Sequence, residues 1–119
     1  MVQVNLSDYK NIYLQTAKEY LEKISLSLNK LSNNSLDKEA INDLHISSHS
    51  LKSQSQVMGY NDIAELSKSL EEISNNALLT NNPLTGDVIG EIRRSFKEME
   101  EILKRAEDAP RDIQDDTGK

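Results

Sequence analysis

A chain of 119 residues is long enough for one modest domain with a single core and too short for a multi-domain enzyme. Apolar residues at 36% and charged residues at 29%, with two prolines, four glycines and no tryptophan, suit helices and disfavour a sheet. Fourteen basic residues against twenty acidic ones leave a formal charge of −6, which opposes binding to nucleic acid or an anionic membrane, and the lack of cysteine excludes disulfides, thiolate zinc sites and cysteine nucleophiles.

The N-terminus, MVQVNLSDYK, has no basic flank and no apolar run of the secretory kind, and the chain has no uninterrupted apolar span of membrane length. A cytoplasmic protein with no membrane partner is expected. Leu14, Ala17, Leu21, Ile24, Leu28 and Leu31 alternate spacings of three and four, which predicts a first helix over 7–32, capped by Asn5 or Ser7. The run SNNS at 32–35 is a turn by composition. Asn34 or Ser35 can cap a second helix over 35–58, whose stripe is Ile41, Leu44, Ser48, Leu51, Ser55 and Met58. Gly59 ends it in the left-handed conformation that glycine adopts most cheaply.

A third helix over 61–79 is predicted from Ile63, Leu66, Leu70, Ile73 and Ala77, with Asn61 as its cap. The loop TNNPLTG stops it. Ile89, Ile92, Phe96, Met99, Leu103 and Ala106 then mark a fourth helix over 86–108. Residues 109–119 have no periodicity and many charges, and read as a disordered tail or linker after a domain spanning 1–108. Four amphipathic helices on short loops predict an all-α, left-handed, antiparallel up-down-up-down four-helix bundle, expected to be a monomer. Its core should include Leu21, Ile24, Leu28, Leu44, Leu51, Leu66, Leu70, Ile73, Phe96, Met99 and Leu103.

On the second helix, His45, His49, Lys52 and Gln56 point about 110° away from the apolar stripe, so His49 should face water at the edge of the core. Lys52 lies about 4.5 Å farther along the axis and nearly on the same face. It could neutralise an anion carried by the imidazole, an interaction on the order of 1–3 kcal/mol. Ser53, Gln54, Ser55 and Gln56 include no bulky apolar group, which leaves the imidazole open to a partner. The third helix should fold back so that Ala64, Ser67 and Glu71 line the same groove, with Glu71 level with His49. A carboxylate accepting the Nδ1 proton would leave Nε2 free as a nucleophile.

His49-x-x-Lys52, Gly59 at the helix end and the following DIAELSKSLEEI resemble a histidine-containing phosphotransfer domain, nearest the N-terminal phosphorylated domain of chemotaxis-type histidine kinases. DYKNIYLQTAKEYLEKISLSLNKL resembles the first helix of that group, and the likeness covers about residues 6–108. It implies a bundle in which His49 Nε2 accepts a phosphoryl group from a histidine kinase catalytic domain. The group then passes to an aspartate of a response-regulator receiver domain, which supplies the Mg²⁺, so this chain needs no cofactor of its own. It also implies that Glu71 bonds the phosphorylated histidine and that Ser53, Gln54, Gln56 and Gly59 belong to the partner-docking patch. Ser53 departs from the family's glycine after the lysine, Gln54 and Gln56 replace its small residues, and Ile46 stands where a basic residue is common.

His45 and His49, four apart, have the spacing with which two imidazoles grip a transition metal, yet Ile46 replaces the glutamate a metalloprotease needs. No glycine-rich phosphate loop precedes a helix, so the chain reads as the substrate of a kinase, or one domain of a larger kinase. The alternative is a non-catalytic helical interaction module, a degenerate phosphotransfer domain in which neither an exposed His49 nor a Glu71 contact is needed.

Overall fold

The computed structural model describes residues 6–108, and the expected cap at Asn5 and the tail at 109–119 lie outside them. Four helices follow one another: α1 (Leu6–Asn33), α2 (Lys38–Met58), α3 (Asn61–Thr80) and α4 (Gly86–Asp108). They form a four-helix bundle in which α1 packs on α2 and α4, and α3 packs on α2 and α4. There is no strand among the described residues. None of these helices is long and apolar enough to cross a membrane.

The apolar stripes meet on the bundle axis. All six residues of the α1 stripe are buried, and Ile24, Leu28, Leu31, Leu44, Leu51, Leu70, Ile92 and Met99 are essentially inaccessible. Removing each such side chain from water is worth about 1.5–3 kcal/mol, which is the main force holding the helices together. Three expected core residues, Leu66, Ile73 and Phe96, are only partly buried and pack against the core from its rim. The inner face of α3 is instead Ile63, Ala64, Ser67, Leu70, Ser74 and Ala77. Ala64 and Ser67 are therefore buried and do not line an open groove.

Small residues account for that rotation. Ser48 and Ser55 of α2 and Ser67 and Ser74 of α3 are buried, so the two helices can approach with little side chain between them. Three of the hydroxyls have partners: Ser74 Oγ donates to the Leu70 carbonyl at 2.8 Å, Ser67 Oγ to Met99 Sδ at 3.5 Å, and Ser55 Oγ meets Tyr13 Oη of α1 at 2.7 Å, whereas Ser48 Oγ has no partner among the described residues. The larger Leu66 and Ile73 are left on the flank.

Turn chemistry sets the helix ends. Asn34 Oδ1 accepts from the Leu36 amide and the Asn34 carbonyl from the Asp37 amide, so residues 34–37 are used up in a turn and α2 starts later than expected. Asp37, not Asn34 or Ser35, is the cap, accepting from the Ala40 amide at 3.0 Å. At the other end Gly59 has φ 81°, the Gly59 amide donates to the Gln56 carbonyl and the Tyr60 amide to the Ser55 carbonyl. This pair of bonds is a Schellman turn, which closes α2 as the sequence predicts. Tyr60 rather than Asn61 takes the cap position of α3 and makes no side-chain cap bond. Its ring stacks on Tyr13 instead, with centroids 4.7 Å apart.

Candidate functional site

The tight turn at Gly59 and Tyr60 makes α2 and α3 a helical hairpin, and it sets which residues stand level with each other. His49 lies ten residues before Gly59 and Glu71 twelve after it, so the two meet across the seam. His49 Nδ1 is 2.7 Å from Glu71 Oε2, while the His49 side chain stays 56% exposed. Lys52, one turn nearer the hairpin end, places Nζ 2.7 Å from the other oxygen, Oε1, of the same carboxylate. Glu71 is thus a shared acceptor at 15% exposure, and Lys52 is itself only 22% exposed.

Partial burial pushes the Glu71 carboxyl up, but the hydrogen bonds from Lys52 and His49 and their charges outweigh it, and the group is held below its ordinary value. An ionised Glu71 beside Nδ1 favours the tautomer that carries its proton there and its free lone pair on Nε2. A free lone pair on an accessible nitrogen is what a nucleophile requires. Lys52 is engaged with Glu71 rather than reaching freely into solvent, so it also fixes the carboxylate that orients His49.

The residues expected to form a docking patch are unequally open, and Gln54 is directed away from the others. Gln56 and Gly59 are exposed, whereas Ser53 and Gln54 are half-buried. Gln54 turns to the α1 side, where Nε2 reaches Tyr20 Oη at 3.5 Å. Apolar residues absent from the sequence-based site are exposed on α2, Ile46 at 52% one turn before His49 and Val57 at 85% two turns after it. They break the helical stripe rather than extend it, and an apolar residue off the stripe was the available signal. His45 is half-buried with its Nδ1 enclosed. No group of three histidine, cysteine, aspartate or glutamate side chains that could hold a metal ion occurs among the described residues.

The sequence model of the Hpt domain family matches residues 8–109. Chemotaxis protein CheA of Bacillus subtilis (strain 168) is 29% identical over 70 residues, which is 59% of this chain and 10% of that protein. The chain therefore spans about a tenth of this relative's length. Among solved structures, the CheA phosphotransferase domain from Thermotoga maritima superposes with a TM-score of 0.81 at 25% identity, covering 87% of this chain and 98% of that one.

Proposed function

Because the chain belongs to the Hpt domain family and is a phosphotransfer module, we propose that it carries a phosphoryl group on Nε2 of His49 in a two-component phosphorelay. The Nε2 lone pair attacks the terminal phosphorus of a nucleotide held by a histidine kinase catalytic domain. The bond to the bridging oxygen breaks, and the nucleoside diphosphate leaves with that electron pair. The ring gains positive charge as the nitrogen–phosphorus bond forms, and Glu71 against Nδ1–H stabilises it. In the second transfer a receiver aspartate oxygen bonds to phosphorus, the pair returns to Nε2, and the imidazole leaves neutral because Nδ1 has kept its proton. Mg²⁺ belongs to the receiver's site in this scheme, and the chain itself needs no cofactor.

The 2.7 Å contact between His49 Nδ1 and Glu71, on an imidazole that stays open to solvent, is the observation that carries this reading. A module that only docks partners needs neither feature. Lys52 takes a share of the phosphoryl charge once the group is in place, and the α2 surface around Ser53, Gln56 and Gly59 is the approach for both partner domains.

With a competent histidine kinase or a phosphorylated receiver, the wild type should gain one acid-labile, base-stable phosphoryl group, and His49→Gln should gain none. A phosphoramidate nitrogen is protonated in acid and leaves, whereas a serine ester would survive and an aspartyl phosphate would fail in base. Label that persists in His49→Gln, or a panel of donors that never modifies the wild type, overturns the proposal in favour of a helical interaction module.

A further inference from the structure

Building on the phosphotransfer reading, we propose that His45 is a second group of the carrier site, and that its Nε2–H donates a hydrogen bond to a phosphoryl oxygen carried on His49. The observation is an asymmetry within the His45 ring. Its Nδ1 is fully enclosed and has no hydrogen-bond partner among the described residues, whereas the side chain as a whole is only half-buried, so part of the ring reaches the surface. An enclosed N–H with no acceptor is costlier than an enclosed lone pair, so in the neutral tautomer the proton belongs on Nε2.

His45 precedes His49 by four residues on α2 and stands one turn away on nearly the same face. Helical side chains lean toward the N-terminus, so the His49 ring leans over the turn that carries His45.

Charge supplies the need for such a donor. A phosphoryl group brings roughly two negative charges, and they arrive beside the Glu71 carboxylate. The ammonium of Lys52 already faces that carboxylate at 2.7 Å. Lys52 and Glu71 cancel before phosphorylation, and the site is anionic afterwards. A neutral donor held in place by the packing of its inner edge stabilises that anion.

The chemical consequence is a longer-lived carrier. In spontaneous hydrolysis the nitrogen–phosphorus bond breaks, its electron pair returns to Nε2, Nδ1–H stays against Glu71, and the phosphoryl group joins water to leave as inorganic phosphate. The transition state is loose, and the phosphoryl oxygens lose negative charge on reaching it. A donor to those oxygens therefore binds the ground state more strongly than the transition state and slows the loss.

Potassium phosphoramidate tests this without any partner protein: His49 Nε2 attacks phosphorus, the donor's nitrogen–phosphorus bond breaks, and ammonia leaves. The half-life of the phosphohistidine signal is followed by phosphorus NMR in the wild type, His45→Phe and His45→Gln, the last retaining an amide donor near the position of Nε2. We expect His45→Phe to shorten the half-life roughly three- to tenfold and His45→Gln to keep it within about twofold. In the wild type the His45 Nε2–H resonance should move downfield and exchange more slowly once His49 is labelled. A normal half-life in a folded His45→Phe, or a His45 Nε2–H that does not respond to the label, overturns the inference. Should His45→Phe fail to fold, His45→Gln and the wild-type resonance decide it. Label on His49 without any His45 effect sinks this inference alone, whereas no label on His49 sinks the phosphotransfer reading with it.

Discussion

Lys52 and His49 do not compete for Glu71: the lysine ammonium sits 2.7 Å from Oε1 and the imidazole Nδ1 sits 2.7 Å from Oε2. One carboxylate therefore links the nucleophile to its neighbouring cation. Removing any one of the three disturbs the other two, and the disturbance has a sign.

Lys52→Ala should raise the Glu71 carboxyl, because the hydrogen bond from Lys52 is the leading influence that opposes burial. A side-chain carboxyl titration by NMR measures the shift. The depressed Glu71 stabilises the fold fully above its ordinary value of 4.5, and that contribution disappears as pH falls through the lower folded value. Acid unfolding of Lys52→Ala should accordingly begin at higher pH than in the wild type. A carboxyl that titrates at the same pH in both would remove Lys52 from the site.

Glu71→Gln keeps the shape but removes the charge, so the Nδ1–H form of His49 loses its strongest acceptor. Nitrogen NMR of the imidazole should show the proton redistributing toward Nε2, and phosphorylation of His49 should slow without being abolished. An unchanged tautomer ratio would deny the contact any role.

Tyr13 gives an alkaline counterpart. Burial, opposed by its bond to Ser55 and aided by Tyr60, pushes the phenol up to about 12. The folded state holds this proton more tightly than the unfolded chain, so the contribution is complete below the ordinary value of 10.0 and is lost as pH rises through about 12. Tyr13→Phe should weaken that alkaline loss. It should also cost about 1 kcal/mol at neutral pH, the low end for a buried hydroxyl left alone, because Ser55 can turn to a carbonyl of its own helix. Denaturant titrations at neutral and alkaline pH read both effects.

Ile24→Ala should destabilise the bundle by about 2–5 kcal/mol, since the side chain is wholly enclosed. Val57→Ala, on a residue 85% exposed, should stay within about 0.5 kcal/mol. Comparable losses in chemical denaturation would contradict the packing described for α1 and α2.

Periodicity alone determined most of the architecture. The α1 stripe from Leu14 to Leu31 is buried as its spacing predicts, Gly59 takes the left-handed turn, and α4 runs over the expected span. These features are local: an apolar residue every three or four positions has one way to hide, and glycine is the residue that tolerates φ 81° without strain. His49 is legible for the same reason, because its angle from the stripe follows from helix geometry. Tertiary structure decided what depends on two helices at once. Ser67 reads as lining an open groove and Leu66 and Ile73 as core, yet Ser67 and Ser74 are inside and the larger residues are on the rim. Hydrophobicity along one helix cannot register that a small hydroxyl, bonded as in Ser74 to a carbonyl one turn earlier, lets a neighbouring helix come close. Glu71 is expected level with His49 from the sequence, but that the same carboxylate also takes Lys52 is of that kind, since only the rotation of α3 against α2 brings it within 2.7 Å of both partners.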